Sequence, residues 1–146
     1  MIQTLVVTFL SINITIGYIV ASVLFNQLAS AKAGSIMEQL LSGLYLTDVL
    51  ILLAILGILF IKNQFGFKRH AWLLASLGLI LGNGFYVSPL MSQLKLLGTD
   101  ATVLGMSFSG WHAVSQIIFM LTLVLILFWW LFVYQRTYSA SVDKGV

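Results

Sequence analysis

The chain has 146 residues, of which 60% are hydrophobic and 8% are charged. Soluble domains carry roughly a quarter charged residues, so this sequence cannot solvate a globular surface, and a net charge of +3 with no long basic run excludes a nucleic-acid binder. There is no Cys, which excludes disulfides, thiolate metal sites and iron–sulfur clusters.

Crossing a bilayer as a helix takes about 20 mostly apolar residues. Four stretches qualify, at about 5–25, 44–61, 71–90 and 111–134. Runs such as Val49 to Leu56 lack the alternation of a barrel strand, and helices satisfy every backbone group internally, as lipid demands. The expectation is an all-α, polytopic membrane protein: one four-helix transmembrane domain over residues 1–146, in the inner membrane of a bacterium.

The first stretch is read as a retained helix. Ala29-Ser30-Ala31 looks like a cleavage site, but the apolar run before it exceeds a signal core and no basic residue precedes it. Asn13 in its middle suits one interhelical contact, and Asn13-Ile14-Thr15 is an accidental glycosylation pattern within the membrane. Before the second stretch, Ser35 and Glu38 fit a capping box, with Ile36, Met37, Leu40, Leu41 and Leu44 following at helical spacing. This predicts an interfacial helical turn, bent near Ser42-Gly43, ahead of the second crossing. In the third stretch Gly78 and Gly82, four apart, predict a close helix–helix approach, by a helix of the same chain in the first instance or else of a neighbour, as Gly17 and Ala21 do in the first. The loop from Met91 to Gly110 has room for a short helix starting near Thr99 or Asp100. The fourth stretch leaves the membrane through Trp129, Trp130, Tyr134 and Tyr138, an aromatic anchor that Trp72 repeats at the start of the third.

Four crossings put both termini and the middle loop on one side. That side carries Lys62, Lys68, Arg69, Arg136 and Lys144, against Lys32 and Lys95 on the other, so the positive-inside rule makes both termini cytoplasmic. Lys68-Arg69-His70 reads as an orienting cluster in contact with anionic lipid heads.

Polar groups inside a bilayer are expensive, and each asks for an explanation. Tyr45 and Asp48 lie three apart early in the second crossing, Asn83 and Tyr86 three apart late in the third, and His112, Ser115 and Gln116 open the fourth. The topology predicts that they converge just beneath the outer surface. Asp48 and His112 form the sharpest pair, with Lys32 and Lys95 as other cations for Asp48. Such a cluster can bind a cation, relay a proton or hold a small ligand; it can equally be a set of interhelical hydrogen bonds.

No cofactor is expected. His70 and His112 fall at opposite faces, about 30 Å of hydrocarbon apart, and cannot share one haem; haem on His112, with Met106 or a partner as second ligand, is the alternative. No catalytic triad order, phosphate-cradling glycine loop or paired carboxylate points to an enzyme.

Several short motifs run along the chain: Leu24-Phe25 with Leu28, Ala33-Gly34 with Ile36, Tyr45, Pro89 with Met91 and Leu94-Lys95, then Phe108, His112 and Ser115. In these the chain resembles an uncharacterised, largely bacterial family of four-helix membrane proteins that also takes in the eukaryotic transmembrane protein 205. Phe119 departs from the pattern, which often has Asn there, and shortens any polar network entering the fourth helix. The resemblance supports the fold and the His112 constellation; it implies no settled activity, although the eukaryotic member is linked to drug resistance and export.

Two functions follow. The first is a non-enzymatic accessory or interaction subunit, packing in a larger membrane assembly or with itself, its partners the bilayer and other membrane chains and not nucleic acid. The second is a transporter or binding protein for an ion or small molecule at the polar site.

Overall fold

The computed structural model describes residues 1–98 and 101–135. Four helices form an up-and-down bundle: α1 (Ile2–Gln27), α2 (Ser30–Ile61), α3 (Ala71–Leu97) and α4 (Phe108–Tyr134). All four are long and apolar enough to cross a membrane, and Val7, Ile19, Leu50, Leu53, Ile117 and Val124 line their outward faces, where bilayer replaces water as the favourable surround.

α2 begins at Ser30, about four turns earlier than expected for the crossing itself, and runs unbroken through Ser42-Gly43. Its N-cap is Ala29, and the predicted capping box does not form. With the helix already under way, Ser35 Oγ donates back to Lys32 O at 3.0 Å, and Glu38 is free to bond elsewhere. α2 ends in a Schellman motif: Asn63 N–H donates to Phe60 O at 3.0 Å and Gln64 N–H to Leu59 O at 2.9 Å. Asn63 takes the left-handed slot with φ 52°, which Asn tolerates better than most residues.

α3 runs past Pro89 and the expected end near Leu90 to Leu97. A proline inside a helix lacks an N–H and clashes with the carbonyl four residues back. Here the turn Asn83–Val87 widens to π-helical geometry just before it, which makes the room, and Ser88–Leu97 continues as α-helix. α1 and α4 carry similar wide turns at Thr15–Val20 and Trp129–Tyr134. The predicted helix start at Thr99 or Asp100 lies outside the described residues, as do Arg136, Tyr138 and Lys144. Beyond them, Val103 and Met106 close a tight turn with two backbone bonds of 3.0 and 3.1 Å. Leu104 and Gly105 take the positive φ this requires, and the Trp111 indole N–H pins the turn through Val103 O at 3.1 Å.

Two apolar cores stack along the bundle. The larger contains Phe9, Leu52, Ile55, Leu73, Ile126 and Trp129. The smaller, towards Lys95, contains Val87, Leu94 and Trp111. Trp129 is therefore no interfacial anchor: it is fully buried, and its indole N–H donates to His70 Nδ1 at 3.0 Å. His70 is likewise no lipid contact, being buried under Phe65 and Trp129.

Candidate functional site

Between the two cores lies a thin polar layer. Asn13 on α1 is 1% exposed and Asp48 on α2 is 2% exposed. The Asn13 amide donates one hydrogen to Asp48 Oδ1 at 2.7 Å and the other to Phe9 O at 2.9 Å. One turn away, Asn83 on α3 donates to the Tyr45 hydroxyl at 3.1 Å and to the Ser115 carbonyl on α4 at 3.3 Å. All four helices contribute to the layer. Asn83 Oδ1 is buried without a hydrogen-bond partner.

The layer sits deeper than expected. Asn13 and Asn83 lie near the middles of α1 and α3, and Asp48 lies past the midpoint of α2. The extra turns of α2 before Leu44 and of α3 after Leu90 account for the difference: they add height on the Lys95 end.

Of the residues expected to converge, Tyr45, Asp48, Asn83 and Ser115 do so. The Asp48–His112 pair does not exist. Asp48 takes Asn13 instead, while His112 is exposed and stacks on Phe108, centroids 6.0 Å apart at 14°. Tyr86, 58% exposed, meets Trp111 in a T-shaped pair, and Gln116 is exposed. Three-apart spacing was too blunt a guide, because such residues sit about 60° apart around a helix. Trp111 and Ser115 face inward on α4, and His112 and Gln116 follow each by one position and face out. Gly78 and Gly82 are both exposed, and a Cβ at either would meet nothing within 4 Å among the described residues, so the approach expected within the chain is not made there. The close approaches are at Gly17, where a Cβ would lie 2.8 Å from the Phe119 ring, and at Gly84, where it would lie 3.3 Å from Tyr45 Cβ.

His112 belongs instead to an open cleft of about 300 Å³ at the Lys95 end. Its polar lining includes Glu38, Ser92, Lys95, His112 and Tyr45; Phe25, Leu41 and Phe108 supply an apolar wall. Lys95 Nζ lies 2.9 Å from Glu38 Oε2 and 5.7 Å above the Phe108 ring, and Ser92 Oγ donates to the other Glu38 oxygen. Sequence reasoning missed this group because it assigned Glu38 to a cap and Lys95 to Asp48. The signal for it was the extended start of α2, which carries Glu38 to the height of Lys95. Among the described residues no three His, Cys, Asp or Glu come together to hold a metal ion.

Comparison with known proteins gives a family and no activity. No curated protein and no solved structure matches the chain. A family model described as a domain of unknown function (DUF4149) matches residues 4–100, which span α1, α2 and α3. The four-helix membrane chain with its buried Asn13–Asp48 tie belongs to that uncharacterised family.

Proposed function

We propose that the protein is a non-enzymatic membrane subunit that acts by packing against other transmembrane helices, its own copies or a partner's. The observation that supports this reading is the buried polar layer. Asn13 bonds Asp48 and Asn83 bonds Tyr45 in the middle of the bundle, and the outer helix faces towards the bilayer are largely apolar. A transport path needs a continuous polar lining. On the outer face of α3, Ala75, Gly78 and Gly82 form an exposed small-residue notch, the feature that lets a second helix approach closely in lipid. We place the Lys62 end in the cytoplasm, by the excess of basic residues there.

The test is particle size and composition after gentle extraction from native membranes. The reading predicts a species larger than a monomer or a co-purifying membrane chain, lost in Gly78→Leu/Gly82→Leu. A strictly monomeric particle with nothing bound contradicts it.

A second reading, binding of a small zwitterionic amphiphile, is favoured by the cleft at the Lys95 end, where Glu38, Lys95 and His112 face one opening above an apolar wall. It predicts that lysophosphatidylethanolamine raises the thermal midpoint of the protein and that Glu38→Gln or His112→Ala removes the shift. No shift in the unaltered chain would end it.

A further inference from the structure

The Lys62 end of the bundle holds a second cavity, of about 390 Å³, between the start of α1, the end of α2, the α2–α3 loop and the end of α4. Such a volume falls within the roughly 300–1,000 Å³ of small-ligand sites. Lys62, Arg69, Gln64, Gln3 and Tyr134 line it, over an apolar floor that includes Leu59. Among the described residues no carboxylate lines it, and neither Lys62 nor Arg69 pairs with one. We infer that this cavity is a binding site for a phosphate-bearing anion, held by the Lys62 ammonium and the Arg69 guanidinium.

Charge near a membrane is common, and Lys62 and Arg69 are themselves exposed; what sets them apart is that both line one cavity and that the backbone carrying them is fixed. Lys62 caps α2, where a cation also complements the helix dipole. The Schellman motif through Asn63 and Gln64 then fixes the turn after it. His70 N–H donates to Gly66 O at 3.0 Å, which closes the segment containing Arg69. The buried His70 ring locks the loop to the bundle: Nδ1 accepts from the Trp129 indole at 3.0 Å, leaving Nε2 to donate to Gln64 O, also at 3.0 Å. Two cations from either end of one braced loop thus share a cavity, and Arg offers the planar fork that matches a phosphate's oxygens. Lys68, exposed and absent from the lining, does not share it. Phe60 and Ile61, which follow the lining residue Leu59 at the end of α2, are exposed and apolar. That suits a phospholipid headgroup with its chains descending alongside; a free phosphate would use the same two cations.

The test uses the full chain in mild detergent. Retained lipid is counted by native mass spectrometry with phosphatidylglycerol or phosphatidylcholine supplied, and thermal midpoints are read with inorganic phosphate alone. The site predicts one phosphatidylglycerol retained in preference to phosphatidylcholine, a preference weakened roughly tenfold or more in Lys62→Gln/Arg69→Gln and unchanged in Lys68→Gln. Stabilisation by inorganic phosphate alone, lost in the same double variant, supports the site with a soluble anion as its source. Equal retention of both lipids without a phosphate effect overturns the inference. So does an equal loss in Lys68→Gln, which would mean diffuse surface charge. Circular dichroism of each variant separates lost binding from lost fold, and the particle size of the double variant keeps this result apart from the packing proposal.

Discussion

Asn13 and Asp48 meet across the centre of the bundle, 35 positions apart in sequence and 2.7 Å apart at their hydrogen-bonding atoms. A carboxylate so deep in the protein needs its partner, because a buried polar group left unbonded costs about 1–3 kcal/mol. Asn13→Leu should destabilise the protein by that amount, read as a lower thermal midpoint in detergent. Asn13→Leu/Asp48→Leu should regain most of the loss, because removing both partners leaves nothing unsatisfied. A double variant no better than the single one would show that the tie is not what makes Asn13 matter.

The glycines divide into two kinds. Gly17→Ala drives a methyl into the rim of the Phe119 ring, which can swing aside, so the expected cost is about 1 kcal/mol. Phe119→Ala in the same chain should relieve that clash. Gly84→Ala meets Tyr45 at its Cβ, close to backbone that cannot move away, and should cost more, about 1–3 kcal/mol. Gly78→Ala and Gly82→Ala enter open space and should stabilise an isolated chain by roughly 0.5–1 kcal/mol through helix propensity. Thermal melts of the four variants give the order directly.

His70 joins the α2–α3 loop to the core. His70→Leu removes the acceptor for the Trp129 indole and the donor to Gln64 O, leaving a buried indole N–H unpaired. The expected loss is about 1–3 kcal/mol, with a shifted tryptophan emission. His70→Gln, which can both accept and donate, should recover part of it.

Asn63 holds the left-handed position that glycine fills at least cost. Asn63→Gly should leave the midpoint unchanged or raise it slightly, and Asn63→Val, β-branched, should lower it by roughly 1–2 kcal/mol. Equal midpoints for the two would mean that the turn is not formed in the membrane.

The four crossings were legible in the sequence because apolar length is nearly sufficient evidence in a bilayer. Tyr45, Asp48, Asn83 and Ser115 were legible as polar residues that lipid would not tolerate outside the bundle. Their partners were not. Which of two neighbours on α4 turns inward is decided by rotation of the helix, and Ser115 buries while His112 faces the cleft for that reason alone. Asn13 was read as a contact without a partner because register between α1 and α2 depends on where α2 starts, and the Ala29 start was masked by a plausible cap at Ser35. Pro89 misled in the same way: the wide turn that accommodates it leaves no mark in composition.

If each helix of the bundle crosses the membrane, the Lys62 and Lys95 ends lie on opposite faces, and the chain's lack of Cys permits a direct test. Phe67 and Leu104 are both exposed, one at each end. In intact bacterial spheroplasts an impermeant maleimide should label Leu104→Cys at once and Phe67→Cys only after the membrane is opened. Labelling of both from the same side would contradict the four-crossing bundle and everything built on it.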